Sequence, residues 1–245
     1  MKRLTDLLPA TLIALGLAAT AGTADAFEVK GTINGEQAFI DLGATIDFAA
    51  EGRWGDRGKA GEHEFNFHYD NAGGGQTVPT EYRAYDWGNG QATPWTISLA
   101  NGIMTYLIGG QTLTFDASSY DFNDAFIRTT ARDAGNSIVV DNLMYNGTAI
   151  AGSSSFVCTS NCDYWNSSQY LWLADLGDAF SLSGTTTMDW QGEPTALRSK
   201  LAFQVKFGDG PDTPDEETSV PEPALSLLSL GAIGLSLKKL RRRSA

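Results

Sequence analysis

The stretch Glu-His-Glu-Phe-Asn-Phe-His-Tyr-Asp at residues 62–70 alternates between ring-bearing and polar side chains. Because successive side chains of a strand point to opposite faces, Phe65 and Phe67 fall with His63 on one face, and the acidic and amide residues fall on the other. The stretch predicts a half-buried antiparallel strand. His63 and His68 would face opposite ways on it, so they cannot jointly bind a metal or share a catalytic triad.

The rest of the domain repeats this β-rich character in short segments separated by turn signals. Asn101-Gly102 and Gly109-Gly110 bracket one such segment, and Asn146-Gly147 follows another, which is typical of hairpins. The segments expected to form strands are 27–33, 95–99, 103–108, 112–115, 125–130, 137–140, 170–173, 180–190 and 201–207. This pattern predicts an all-β fold, an antiparallel β-sandwich of the jelly-roll type.

The N-terminus has the three parts of a secretory signal peptide. Lys2 and Arg3 precede a low-charge apolar run at 10–21, and Ala24-Asp25-Ala26 has the small-x-small pattern of a cleavage site. The run is too short for a comfortable membrane span, and a buried N-terminal helix is the alternative interpretation. We expect residues 1–26 to be removed, so that the exported chain begins at Phe27.

The C-terminus has a second three-part segment. Val220-Pro221-Glu222-Pro223 is followed by an apolar stretch at 224–237 and then by a basic tail. Cations beside an apolar helix stay on the cytoplasmic side, so the domain before the helix is expected outside the cell, in agreement with the signal peptide. The basic residues of the tail are Lys238, Lys239, Arg241, Arg242 and Arg243.

This arrangement resembles the PEP-CTERM sorting signal, and the resemblance covers Val220 to Arg243 alone. It implies a Gram-negative bacterium that makes exopolysaccharide, with a transpeptidase-like membrane enzyme, an exosortase, as processing partner. It also implies an inner-membrane intermediate and a final location on the cell surface or in the extracellular matrix. A permanent tail anchor is the alternative. The fourteen apolar residues form a helix that spans ~21 Å of a ~30 Å hydrocarbon core, and snorkelling of the flanking lysines can lengthen the part that crosses the membrane.

These boundaries divide the chain into four parts. The passage 141–207 in addition resembles the β-rich ectodomains often attached to such anchors, which implies location and fold rather than activity. The parts are a signal peptide at 1–26, the sandwich at 27–207, an acidic, proline-rich tether at 208–219, and the sorting anchor at 220–245, with its membrane helix at about 224–237 and its basic tail at 238–243.

Charge is uneven along the chain. Residues 27–219 contain 10 lysine and arginine residues against 26 aspartate and glutamate residues, a net charge of −16, whereas the whole chain carries −12. Such a surface repels phosphate backbones and anionic lipid headgroups, which argues against nucleic-acid binding and peripheral membrane binding. Cations, basic partners and neutral glycans fit it better, although solubility outside the cell is a sufficient explanation by itself.

The two cysteines, Cys158 and Cys162, lie four positions apart in a segment rich in small polar residues. In an oxidising compartment we expect them to form a disulfide that pins a surface loop near Tyr164 and Trp165. A zinc site would need further thiol or imidazole ligands, and the sequence has none nearby.

The sequence contains no motif for a serine nucleophile, a phosphate-binding loop or a dinucleotide site. Carboxylates remain as candidates, because Asp116, Asp121 and Asp124 lie in a segment where aromatic residues alternate with oxygen ligands. This segment is a solvated loop, a weak calcium site without the spacing of a known calcium loop, or a glycosidase site. We predict no catalytic residue and no required cofactor.

Aromatic residues suggest a binding role. The chain has six tryptophans and eight tyrosines, and exposed rings stack on sugar faces. Trp87, Trp165 and Trp172 are the candidate glycan-binding rings, with core packing as the alternative for each. We therefore expect a non-enzymatic protein of the cell surface or matrix that binds exopolysaccharide. The alternative is a secreted, carboxylate-dependent glycan hydrolase or lyase.

Overall fold

The computed structural model describes residues 27–55, 63–69, 81–160, 162–192 and 201–211. Strands make up most of this part of the chain, with a single short helix near its start. The elements are β1 (Glu28–Asn34), α1 (Glu36–Leu42), β2 (Thr45–Trp54), β3 (His63–Tyr69), β4 (Glu81–Ala84), β5 (Ala92–Ala100), β6 (Ile103–Ile108), β7 (Gln111–Asp116), β8 (Asp124–Ala131), β9 (Ser137–Tyr145), β10 (Thr148–Ala149), β11 (Ser154–Val157), β12 (Ser168–Ala174), β13 (Phe180–Asp189) and β14 (Leu201–Asp209).

The strands form two antiparallel sheets. The first sheet has the order β1-β12-β8-β14-β2-β3-β4. The second sheet has the order β10-β9-β13-β5-β6-β7, with β11 paired to β9. The prediction of a mostly β, antiparallel domain is confirmed.

Aromatic side chains from both sheets meet in one core. Trp95 of β5 stacks on Phe203 of β14 with ring centroids 5.6 Å apart, and Phe67 of β3 contacts Phe115 of β7 at 5.7 Å. Phe65 and Phe67 are both buried, as the alternation at 62–70 predicts. Because each sheet contributes one inner face to a shared apolar layer, the arrangement fits the expected sandwich.

Tight turns connect neighbouring strands where the sequence predicts them. Asn101 and Gly102, between β5 and β6, both have positive φ, at 53° and 75°. Asn146 and Gly147, between β9 and β10, have φ of 49° and 77°. Two-residue hairpins with positive φ at both positions favour asparagine and glycine, which tolerate this region of backbone space. The pair Gly109 and Gly110 joins β6 to β7 in the same way.

Several elements differ from the sequence expectations. Helix α1 and strands β2, β4, β10 and β11 have no counterpart among the predicted segments, and β14 ends at Asp209 rather than 207. Strand β2 contains the low-propensity run from Ala49 to Gly52, and it exists because it pairs with β14 on one side and β3 on the other. Helix α1 is held by Phe39, whose ring stacks on Tyr170 at 4.1 Å.

The predicted signal peptide, the tether from 212 onward and the sorting anchor lie outside the described residues. Within the described part of the chain, no helix has the length and apolar character needed to cross a membrane.

Tyr106 on β6 provides a test of the core. Its ring is fully buried against Phe65 and Phe67, and its hydroxyl has no hydrogen-bond partner among the described residues. Because an unsatisfied buried hydroxyl carries a desolvation cost, Tyr106→Phe should leave the free energy of unfolding unchanged or raise it by up to ~1 kcal/mol. The midpoint of denaturant unfolding measures this change.

Tyr170→Phe is the matched control. The Tyr170 ring is equally buried, but its hydroxyl donates a hydrogen bond to Glu36 Oε2 at 2.8 Å. Removing this donor should lower the free energy of unfolding by ~1–3 kcal/mol. Equal losses of stability in the two variants would contradict the assignment of the Tyr106 hydroxyl as unsatisfied.

Candidate functional site: a polar row and an aromatic loop

The face of the first sheet that points away from the core carries a line of polar side chains. Asn66, Glu51, Gln204, Arg128 and Tyr170 are opposite one another in the register of β3, β2, β14, β8 and β12. All five are buried. We call these residues the polar row.

Hydrogen bonds run along the polar row from strand to strand. Arg128 Nη1 donates to Gln204 Oε1 at 3.2 Å, and Gln204 Nε2 donates to Glu51 Oε2. Since buried polar groups are costly unless they are paired, each member depends on its neighbours.

Glu36, the first residue of α1, closes one end of the polar row. Its Oε2 accepts hydrogen bonds from Arg128 Nε at 3.1 Å and Nη2 at 2.9 Å, from Tyr170 at 2.8 Å and from Ser168 at 3.3 Å. Its Oε1 accepts from the Tyr164 hydroxyl at 3.1 Å. One carboxylate thereby joins the helix, two strands and the loop before β12.

A second group of contacts flanks the row on β2 and β3. Arg53 Nε donates to Glu64 Oε1 at 2.6 Å and lies 3.2 Å from Glu51 Oε1. The Asn66 amide donates to Glu64 Oε1 at 3.2 Å, and Asn66 Oδ1 lies 3.1 Å from His68 Nδ1. His68 is half-buried beside the row.

Two carboxylates of this face, Glu36 and Glu51, have lowered pKa values and are held in the charged form. Burial by itself raises the pKa of Glu36, but Arg128, the Tyr170 hydroxyl and Lys206 outweigh it, so the pKa is lowered. The pKa of Glu51 is also lowered, since electrostatic interactions with His68 and Arg53 and the hydrogen bond from Gln204 outweigh its burial. For Lys206 burial is the larger effect and lowers the pKa.

The loop at 162–167, which we call the aromatic loop, presents two exposed rings. Tyr164 is 43% and Trp165 49% exposed, and the rings contact edge to face at 5.1 Å. Asp163 Oδ1 accepts hydrogen bonds from the backbone N–H groups of Trp165 and Asn166, both at 3.0 Å. Aspartate favours such turns because its side chain bonds the backbone two or three residues on.

The base of the aromatic loop is tied to its surroundings. Cys158 and Cys162 lie at disulfide distance, with Cα atoms 5.8 Å apart, as expected from the sequence. The backbone N–H of Glu36 donates to the Trp165 carbonyl at 2.9 Å. The Arg132 guanidinium lies over the Tyr164 ring, 5.2 Å from its centroid. These contacts hold the two rings next to one end of the polar row.

The structure places the three candidate tryptophans in different settings. Trp165 is on the surface, in the aromatic loop. Trp172 is half-buried on the outer face of the first sheet, where it stacks on Phe126 and donates to Asp124 Oδ2 at 2.8 Å. Trp87 is 2% exposed and offers no face to a sugar. Its ring enters the core because Gly52 has no side chain; a Cβ there would lie 2.5 Å from the indole.

Asp116, Asp121 and Asp124 do not converge on one site. Asp116 is exposed and accepts two hydrogen bonds from Ser118, which lower its pKa. Asp121 is also exposed. Burial raises the pKa of Asp124, whose Oδ2 accepts from Trp172 and from the backbone of Gly210. Among the described residues, no group of three or more carboxylate, imidazole or thiol side chains could hold a metal ion.

The sorting-motif residues Val220 to Pro223 and the basic tail at 238–243 fall outside the described residues. The sequence analysis did not single out Glu36, Glu51, Arg128 or Gln204. The sequence does mark some of these positions, because charged or amide residues interrupt otherwise apolar strands. Arg128 does so in Phe-Ile-Arg-Thr at 126–129, and Gln204 and Lys206 do so in Phe-Gln-Val-Lys-Phe at 203–207.

Comparisons with known proteins found no match: no protein-family model matches the chain, and no curated protein matches its sequence.

His68 should make the stability of the domain depend on pH. Burial lowers its pKa below the ordinary value, Glu51 opposes this effect, and Lys206, Arg53 and Arg128 reinforce it. The unfolded chain therefore binds a proton first, near pH ~6.5, and stability present above that pH is lost as the pH falls. His68→Gln should remove this loss between about pH 7 and 5.5, measured by denaturant unfolding at each pH.

The decline below about pH 4.5 should persist in the His68→Gln variant, because the lowered pKa of Glu36, which depends on Arg128, Tyr170 and Lys206 rather than on His68, produces it. If the free energy of unfolding changes equally with pH in the parent and the variant between about pH 7 and 5.5, His68 is not held neutral by the fold.

Proposed function

We propose that the chain is an exported protein, sorted by an exosortase-type enzyme to the cell surface or extracellular matrix of a Gram-negative bacterium, where its domain binds exopolysaccharide. The observation that carries the binding proposal is the exposed Tyr164–Trp165 pair, fixed at one end of the polar row.

The rigidity of the aromatic loop supports this role. Binding costs less when the contacting side chains are already ordered, and flat rings provide large contact areas for sugar faces. The Asp163 turn, the bond from Tyr164 to Glu36 and the neighbouring disulfide all restrain the loop. The Tyr164 hydroxyl donates to the Glu36 carboxylate at 3.1 Å, so the exposed rings are held beside a polar group at the end of the row.

A jelly-roll fold is also part of the proposal. The pairing of eight strands is nested: β2 with β14, β5 with β13, β8 with β12, and β9 with β11. The sheets then read β2-β14-β8-β12 and β5-β13-β9-β11, the arrangement of a jelly roll, to which the remaining strands add edges. Lectin domains use this fold, which supports glycan binding by analogy alone.

Binding without catalysis is favoured over the glycan hydrolase alternative. Glycosidases that use two carboxyl groups need one of them protonated as general acid, and environments that raise its pKa provide this. The pKa values of Glu36 and Glu51 are lowered. Asp124 has a raised pKa, but it is buried and its Oδ2 already accepts hydrogen bonds from Trp172 and from the backbone of Gly210.

The two ends of the chain support export and sorting. The predicted signal peptide at 1–26 and the basic tail at 238–243 independently support a location of the domain outside the cytoplasm. The Pro-Glu-Pro sequence before the short apolar stretch is the feature that distinguishes a processed anchor from a permanent one.

Trp165→Ala should weaken polysaccharide binding by about tenfold, because the stacking surface is lost while the polar row stays intact. The full-length chain in detergent is assayed against a panel of extracellular polysaccharides by affinity electrophoresis. Tyr82→Ala, which removes a 62% exposed ring from β4, is the matched control and should bind like the parent.

Released reducing ends are measured in the same samples. Release of reducing ends that depends on Asp124 or Glu51 would contradict binding without catalysis and favour the glycan hydrolase. Equal retention of the Trp165→Ala variant and the parent by the polysaccharide would exclude the aromatic loop as the binding site.

Replacing Pro221, Glu222 and Pro223 by alanine tests the sorting proposal. The apolar stretch and the basic tail are unchanged, so membrane insertion should survive while cleavage fails, leaving an unprocessed inner-membrane form. Cell fractionation and mass spectrometry of the mature C-terminus in the native host provide the measurement.

Neutral replacements of Arg241, Arg242 and Arg243 are the comparison, because they should weaken insertion itself rather than processing. If the variant with alanine at Pro221, Glu222 and Pro223 has the same location and the same C-terminus as the parent, the segment is a membrane anchor and the sorting proposal is wrong.

A further inference from the structure

The chain contains four Asn-Gly pairs, at residues 34–35, 89–90, 101–102 and 146–147, and all of them lie within the described part of the chain. Asparagine followed by glycine is especially prone to deamidation, because glycine has no side chain to hinder the approach of its backbone nitrogen to the asparagine amide. All four asparagines are exposed, so access of water does not distinguish them. Their hydrogen bonds do.

Deamidation requires two free groups. The backbone nitrogen of the glycine attacks Cγ of the asparagine, and a succinimide ring closes while the side-chain nitrogen leaves as ammonia with the proton of the attacking N–H. Water then opens the ring at either of its C–N bonds, which gives aspartate or isoaspartate. A hydrogen bond that holds the side-chain amide, or one that uses the glycine N–H, has to break before the ring can close.

The asparagine amides of the pairs at 34–35 and 89–90 are held by distant parts of the chain. Asn34 Oδ1 accepts a hydrogen bond from Gln169 Nε2 at 2.9 Å. The Asn89 amide donates to the backbone carbonyl of Trp190 and accepts from the backbone N–H of the same residue, both at 2.9 Å. Neither amide can turn toward the following glycine without losing these bonds.

The glycine N–H groups of the same two pairs are also used. Gly35 donates its N–H to the Ser168 carbonyl at 2.9 Å, and Gly90 donates its N–H to the Met188 carbonyl at 2.8 Å. Both reacting groups are therefore restrained in these pairs.

The other two pairs form hairpin turns with matching backbones. Asn101 and Gly102 have φ of 53° and 75°, against 49° and 77° for Asn146 and Gly147. Neither glycine N–H has a hydrogen-bond partner among the described residues. The side chains differ, because Asn146 Oδ1 accepts from the Ser181 backbone N–H at 2.8 Å, whereas the Asn101 amide has no partner in the described part of the chain.

We propose that Asn101 is the deamidation site of the folded protein, where the amide is converted to a mixture of aspartate and isoaspartate. Of the four pairs, this is the one in which the side-chain amide and the following N–H are both without a partner among the described residues. The reaction consumes only water, and it does not depend on the proposed polysaccharide binding.

Isoaspartate at this position changes the β5–β6 turn, because the main chain then runs through Cβ and Cγ of the residue. The turn has two residues between Ala100 and Ile103, which are opposite one another in register. The Gly102 carbonyl also accepts a hydrogen bond from the Ala117 N–H at 2.8 Å. A longer main chain disturbs these contacts, since two-residue hairpins require particular backbone conformations. We therefore expect the modified domain to be less stable.

The site is tested by incubating the full-length chain in detergent at mildly alkaline pH and following each asparagine by peptide mass spectrometry. Asn101 should be converted about tenfold faster than Asn34, Asn89 or Asn146, because at those three positions a hydrogen bond has to break first. Equal rates at Asn101 and Asn146, or a faster reaction in another Asn-Gly pair, would overturn the proposal.

The same chain unfolded in denaturant is the control. Without the folded structure, the four Asn-Gly pairs should react at similar rates. If the difference between Asn101 and Asn146 persists in denaturant, neighbouring sequence rather than hydrogen bonding causes it, and the structural basis of the proposal is wrong.

Asn101→Gly separates this reaction from other effects of ageing. The variant should keep the turn, because Gly109 and Gly110 already form the equivalent turn between β6 and β7. After incubation, the midpoint of denaturant unfolding should fall for the parent and stay unchanged for the variant. An equal fall in both would show that isoaspartate at this turn does not cause the loss of stability.

Discussion

The carboxylate of Glu36 is the group on which the outer face of the first sheet depends. It accepts hydrogen bonds from Arg128, Tyr170, Ser168 and Tyr164, and it is buried. A buried carboxylate is stable in the charged form only when its partners are present, and removing one partner of a buried ion pair typically costs ~3–5 kcal/mol. Helix α1, strands β8 and β12 and the aromatic loop are therefore positioned together.

This dependence explains why α1 exists. A helix of seven residues is too short to be stable by itself, and Gly35 at its start makes no side-chain capping bond. Two tertiary contacts hold it instead: Glu36 pairs with Arg128, and the Phe39 ring stacks on Tyr170 and lies edge to face with Phe126. The helix is thus a consequence of the polar row and the small apolar cluster beside it.

The parts of the fold that depend on local chemistry could be predicted from the sequence. The Asn101-Gly102 turn and the alternating segment at 180–190 carry their own structural signals, and each forms the expected element. The polar row could not be predicted in this way, since Glu36 and Arg128 are 92 positions apart and Glu51 and Gln204 are 153 apart. Only the sheet order brings them together.

Of the candidate tryptophans, the sequence alone could not separate Trp165 from Trp87. Both lie among turn-forming residues, and their environments differ because of distant positions. Trp87 is buried where Gly52 leaves room for an indole, and its Nε1 donates to the Arg53 carbonyl at 2.9 Å. Trp165 is exposed in a loop that is held by the Asp163 turn and by the hydrogen bond from the Glu36 backbone N–H to its carbonyl. Burial of an aromatic ring is in both cases decided by its partners.

The two outer faces of the domain differ in a way that bears on function. Strand β13 presents half-buried Ser and Thr side chains on the second sheet, as expected of an antiparallel sheet that faces water. On the first sheet, charged residues occupy the corresponding positions and are buried. Apolar residues of similar shape would often be as stabilising as buried ion pairs, so stability alone does not account for this choice. The paired charges of this face and the two fixed aromatic rings at its end are the features on which the proposed binding of a polar ligand depends.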